Sequence, residues 1–181
     1  MPDLKERLIE STRDITANMV KRGGGIIDIE LVDMTTEMDD YFQLKATFDT
    51  VDSMGANFIN SCLEEFAFEL KDFLQTSPYF KVEEREVEII MSILSNYTPD
   101  CVVKAWVECD VDYLGNIDED LNGEQFAHKF EKAVQIAHLD THRATTHNKG
   151  IFNGIDAVAM ATANDFRAIE ACGHKIGRAH V

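Results

Sequence analysis

Positive charge is scarce in this chain. Lys and Arg number 17 against 33 Asp and Glu, giving a formal net charge of −16 and a sequence pI near 4.6. Such a surface repels nucleic acid and anionic membrane, and no basic patch offsets it, so neither is an expected partner. Also missing is any apolar run approaching the roughly 20 residues a membrane-spanning helix needs. The opening stretch MPDLKERLIE has no basic head followed by an apolar segment, so no secretory signal is read there. The four cysteines, Cys62, Cys101, Cys109 and Cys172, form no CxxC pair. Metal thiolates and disulfides are therefore not expected, and a reducing, cytoplasmic setting fits best. No GxGxxG fingerprint occurs, so a Rossmann domain is not indicated.

What is present is ordinary for a globular protein: 181 residues, 45% hydrophobic and 28% charged, enough for one domain or two small ones. Pro2, Leu4, Leu8, Ile15 and Met19 predict an amphipathic helix to about Arg22. Gly23-Gly24-Gly25 ends it, either as a plain cap and turn or as backbone held close to a nucleotide. Ile27 to Met34 and Phe42 to Val51 alternate as strands. Asp52 then opens a helix on Met54, Phe58, Cys62, Phe66, Leu70 and Phe73, a core-facing stripe. The turn from Ser53 to Asn57 offers free N–H groups and a small Gly-Ala step that suit a pyrophosphate.

Residues Lys81 to Leu94 read as a further strand, and Cys101 to Val111 alternates around Val103, Ala105 and Val107. Asp110 to Gln125 is an acidic loop whose register does not fit a calcium loop. Asn122 caps a helix through Phe126, Phe130, Val134 and Ala137. The scattered histidines read as solvated or capping groups, so no metal is expected.

The remaining chain centres on Arg143 to Ala168. Ala157, Ala159, Ala161 and Ala163 make a low-bulk run, of the kind found where backbone approaches another element or a ligand. Lys149 and Asn153, four apart, share one helical face. Lys149 and Asp165 are sixteen apart, so they meet only if the helix stops between them. Asn164-Asp165 is the predicted stop and the cap of a new helix. A nearby ionised Asp165 would keep Lys149 a cation able to stabilise an oxyanion, although such pairs also occur as plain surface ion pairs.

The segment THNKGIFNGIDAVAMATANDFRAIEA resembles the lysine/aspartate signature of class II 3-hydroxy-3-methylglutaryl-CoA (HMG-CoA) reductases. Asp52-Ser53-Met54-Gly55-Ala56-Asn57 resembles that family's cofactor-contacting DxMGxN segment, and Ile93-Leu94-Ser95-Asn96 matches between them. The likeness runs from about Gly23 to Lys175 and is weak from Asp110 to Gln125. It implies an α+β architecture: residues 1–95 as an incomplete ferredoxin-like cofactor domain lacking its first strand, or with Cys101 to Val111 in that slot. Residues 96–175 would then be a mainly helical part of the substrate domain, and 176–181 a non-native tail.

The activity implied is interconversion of HMG-CoA and mevalonate by two hydride transfers with NAD or NADP. Lys149 resembles the catalytic lysine, and Asp165 the aspartate that sustains its charge. Arg143 matches an arginine that grips the substrate carboxylate, while Asn153 and Asn96 match positions lining the substrate site. Asp52, Met54, Gly55 and Asn57 match the cofactor segment. Ala163, Ser53 and Phe166 stand where the family pattern has glycine, alanine and tryptophan. The family also uses a glutamate and a histidine that find no counterpart here: Glu170 is on a different helix, and His174 and His180 are misplaced. A chain inactive alone, working in a homo-oligomer when whole, is the implied state. The rival expectations are a metabolite-binding regulatory module with a ferredoxin-like sheet and no catalysis, and an oligomerisation domain.

Overall fold

The computed structural model describes residues 2–176, with side chains through residue 174. The chain divides into two compact units, Met1–Leu94 and Ser95–Val181. Of the expected tail, 176–181, residue 176 ends the last helix, and 177–181, His180 among them, lie outside the described residues.

In the first unit two helices replace the single one expected: α1, Pro2–Ser11, and α2, Arg13–Lys21. The break is at Thr12, which is fully buried and whose hydroxyl donates to the Leu8 carbonyl at 2.8 Å. A Thr that bonds back to its own helix bends the ladder at that point. Strands β1, Gly25–Asp33, and β2, Phe42–Asp49, pair antiparallel from Gly25↔Asp49 to Asp33↔Phe42. The register shifts between Ile26 and Asp28, leaving Ile27 exposed. That extra residue lets Ile26 and Ile29, three apart, both face the core.

Helix α3, Ala56–Thr76, packs with α1 on one face of this hairpin. The core is Leu4, Leu8, Ile29 and Phe66, flanked by Leu44, Ala46, Phe48 and Phe73. Phe66 is essentially solvent-free, a burial that contributes roughly 1.5–3 kcal/mol. Arg7 closes the edge of this core, pairing with Glu69 and with Asp72 at 2.7 Å while lying over the Phe73 ring.

Two expected strands are not formed. Lys81 to Leu94 is a 3-10 turn, Val82–Glu84, followed by irregular backbone, and Cys101 to Val111 is irregular until a second 3-10 turn, Val111–Leu114. Alternation specifies a face but supplies no partner, and an extended segment becomes a strand only when a neighbour takes its N–H and C=O groups. Among the described residues β1 and β2 pair only with each other. Val103 and Val107, at 95% and 101% relative exposure, bury nothing. Residue 94 is instead held to α3, its N–H donating to Asn60 Oδ1 at 3.0 Å.

The second unit is a short hairpin, β3 Asn116–Asp118 and β4 Leu121–Asn122, followed by α4 Gly123–Leu139, α5 Thr141–Ala161 and α6 Phe166–Ile176. Asn122 and Gln125 form a reciprocal capping box at the start of α4. Asp140 alone joins α4 to α5: its N–H closes α4 on Ile136, and its carboxylate accepts from the His142 N–H at 2.9 Å. No helix among the described residues is long and apolar enough to cross a membrane.

Burial pushes the Cys62 thiol up to about 11. A raised thiol pKa means the folded state keeps its proton longer than the unfolded chain does. The associated stability is present below about pH 9 and is lost as pH rises towards 11. At pH 8, Ellman's reagent is expected to titrate the exposed Cys101 and Cys109 rapidly, with Cys62 silent until urea unfolds the chain. Rapid modification of Cys62 in the native state would contradict this packing.

Candidate functional site

The break between α5 and α6 lies where the sequence puts it. Its geometry is a Schellman closure: Asn164 N–H bonds to the Ala159 carbonyl at 2.8 Å and Ala163 N–H to Met160 at 3.1 Å. Ala163 takes the left-handed position, φ 57, where glycine is the usual residue. Asp165 then caps α6, its Oδ1 accepting from the N–H groups of Arg167 at 3.1 Å and Ala168 at 3.3 Å. It also faces the Arg167 guanidinium at 3.7 Å.

The expected meeting of Lys149 with Asp165 is not formed. Helix α5 continues unbroken for twelve residues beyond Lys149, to Ala161, a rise of about 18 Å. Asp165 belongs to the far end of that helix, and among the described residues Lys149 has no ion pair within 4.0 Å with any carboxylate. The stop was legible in Asn164-Asp165; its distance from the lysine is what keeps the two groups apart.

Lys149 and Asn153 do come together. Both line a groove of about 650 Å³ between α5 and α6, with Thr141, Thr145, Asp156, Glu170 and His174. The helices close on one another at Phe152, which is buried, and Gly173. A Cβ on Gly173 would overlap the Phe152 ring, and the His174 imidazole packs on that ring at 4.7 Å. Arg143, exposed one residue before the buried Ala144, is not part of the groove lining. Nor is Asn96, exposed two residues before Thr98, whose N–H meets Cys172 Sγ of α6 at 3.5 Å.

Asp156, Glu170 and His174 are the groove residues the sequence reading did not assign to Lys149. The signal was available: positions 145, 149, 153 and 156 recur at helical spacing with polar residues on one face of α5. His138 and His142, four apart in sequence, fall on α4 and α5. Among the described residues no group of three or more His, Cys, Asp or Glu is placed to hold a metal ion.

In the first unit the segment Asp52 to Asn57 is a built turn. Thr50 and Ser53 bond reciprocally, Thr50 Oγ1 to the Ser53 carbonyl at 2.6 Å and Ser53 Oγ to the Thr50 carbonyl at 2.8 Å. Gly55, φ 73, is the N-cap of α3, and a Cβ there would overlap Thr50. Asp52 therefore does not cap the helix; the turn delays the start to Ala56. Among the described residues no side chain caps it, which leaves the first-turn N–H groups of Ala56, Asn57 and Phe58 without a side-chain acceptor. Such an end, with Met54 exposed beside it, fits a phosphate of a dinucleotide.

Residues 2–180 match the family described as Hydroxymethylglutaryl-coenzyme A reductase, and the chain belongs to that family. It is 35% identical over 170 residues to the 3-hydroxy-3-methylglutaryl-coenzyme A reductase of Archaeoglobus fulgidus, covering 94% of this chain and 35% of that protein. It is 33% identical over 175 residues to the probable enzyme of the same name from Borreliella burgdorferi, covering 96% and 37%. Among solved structures it resembles the 3-hydroxy-3-methylglutaryl-coenzyme A reductase of Streptococcus pneumoniae, with TM-score 0.64, 37% identity, and 95% of this chain against 43% of that one. The class II Streptococcus pneumoniae reductase bound to NADPH in open conformations gives 0.63 and 36%, covering 94% and 42%. The chain thus spans little more than a third of the length of the curated relatives it matches. Its mixed helices and small antiparallel sheets are shared with these reductase structures.

An alanine held in the left-handed region costs about 1 kcal/mol. Ala163→Gly is therefore expected to raise the stability of the chain by about that amount in urea unfolding, with α5 and α6 unchanged by circular dichroism. A loss of stability would show that the Schellman turn is not formed as described.

Proposed function

We propose that this chain is part of an oxidoreductase that interconverts HMG-CoA and mevalonate, with Lys149 and Asn153 at the acyl end of the α5–α6 groove. The supporting observation is the side-by-side placement of these two residues, within the family's signature, on a polar groove. The Lys149 ammonium donates to the acyl oxygen and carries the negative charge that develops there. Asn153, one turn along the same face, fixes that oxygen through its amide. Arg143, one turn before His147 on α5, offers a planar fork of donors to the substrate carboxylate. Asn96 lies on the segment docked to α6 and belongs to the same substrate surface by family position. Asp165 anchors the first turn of α6, and so holds in place the helix that faces the lysine.

NAD or NADP, when bound, supplies the hydride. Asp52, Met54, Gly55 and Asn57 form its binding turn, the α3 N–H groups taking a phosphate and Gly55 keeping that approach clear. Within the first unit, the order helices, β1, β2, α3 corresponds to the inner part of a ferredoxin-like βαββαβ arrangement. Residues 1–95 then form the cofactor domain and 96–175 part of the substrate domain of a homo-oligomer. Turnover additionally requires the glutamate and histidine that the family uses and this chain does not provide.

Two measurements bear on this. Incubated with HMG-CoA and either reduced cofactor, the chain is expected to give no rate above blank; a clear rate contradicts its dependence on those further groups. By calorimetry, Lys149→Ala is expected to weaken HMG-CoA binding about tenfold, about 1.4 kcal/mol, and leave NADPH binding within twofold. Equal HMG-CoA affinity in the variant would remove the role given to Lys149.

A further inference from the structure

Seams between packed helices are ordinarily apolar. The α5 side of this one is polar at Thr145, Lys149, Asn153 and Asp156, with Phe152 as its large apolar contact. At the Asp156 end, the Oδ1 oxygen is buried and receives no hydrogen bond among the described residues. An orphaned buried acceptor is destabilising and calls for a physical explanation. Glu170 opens on the same groove from α6, so two carboxylate groups, which accept and do not donate when ionised, converge there. His174, one turn further along α6, is held against Phe152 on the groove wall. The chemistry this end asks for is a hydrogen-bond donor brought by a ligand.

We propose that Asp156 and Glu170 accept the hydroxyl of a 3-hydroxyacyl group whose carbonyl oxygen is held by Lys149 and Asn153. Asn153 and Asp156 are three apart on one face of α5, about 4.5 Å of rise, a spacing suited to an acyl oxygen and a hydroxyl two carbons away. The pair is specificity-determining: a 3-hydroxyacyl thioester satisfies the carboxylates, and an analogue without the hydroxyl leaves the Asp156 Oδ1 oxygen buried and unpaired. This assignment rests on the reading of Lys149 and Asn153 as the acyl-binding end.

The test compares HMG-CoA with 3-methylglutaryl-CoA, which differs by that hydroxyl alone. Both are titrated into the chain and into Asp156→Asn and Glu170→Gln, with circular dichroism to confirm folding. The original chain is expected to prefer HMG-CoA at least tenfold, and each variant to bring that preference below about threefold while binding of 3-methylglutaryl-CoA is kept. Equal binding of the two thioesters to the original chain, or an undiminished preference in both variants, overturns the assignment and leaves the role of Lys149 standing. Failure of both thioesters to bind overturns the acyl-binding reading and this assignment with it.

Discussion

The second unit depends on one close approach, Gly173 of α6 against the Phe152 ring of α5. Because a side chain at 173 would overlap that ring, the two helices can come this near only with glycine there. That contact sets the groove's width and brings Glu170 and His174 opposite the face of α5 that carries Lys149, Asn153 and Asp156. The turn that returns the chain for this packing is closed by the Ala159 and Met160 carbonyls and capped by Asp165. The conspicuous Asp165 thus acts on backbone, and the groove's carboxylates come from positions with less obvious signatures. A carboxylate at a helix start has N–H groups and a favourable dipole to satisfy it.

The first unit meets a different constraint. Its hairpin has one covered face, and α1 and α3 supply the apolar side chains that cover it. The bulge at Ile27 and the break at Thr12 both adjust side-chain direction to that core, one residue at a time. The Thr50–Ser53 turn then delivers α3 with its first N–H groups unclaimed by any side chain. Packing and the phosphate-suited helix start are consequences of the same short loop.

Much of this was readable in the amino-acid order. The hairpin, the glycine stop after α2, the Asn122 cap and the Asn164-Asp165 break all follow from local chemistry that acts within a few residues. The break at Thr12 was missed because burial of its hydroxyl is a tertiary fact. The strands expected at Lys81 to Leu94 and Cys101 to Val111 do not form, because alternation says nothing of a partner. Likewise the Lys149–Asp165 meeting was inferred from phase and a stop signal, when axial distance decides it. Asp156 was not singled out in sequence, and Glu170 and His174 were set aside, because a groove is defined by two helices at once, and only the Phe152–Gly173 contact brings those faces together.

The groove exists only through that contact. Nuclear Overhauser effects between the Phe152 ring protons and those of His174 and the Gly173 α-carbon test it most directly. The described packing predicts strong cross-peaks there, with continuous helical amide contacts from 149 to 161. Absence of the Phe152–Gly173 cross-peaks, or a break in the amide contacts beside Lys149 with Asp165 drawn to its ammonium, would contradict it.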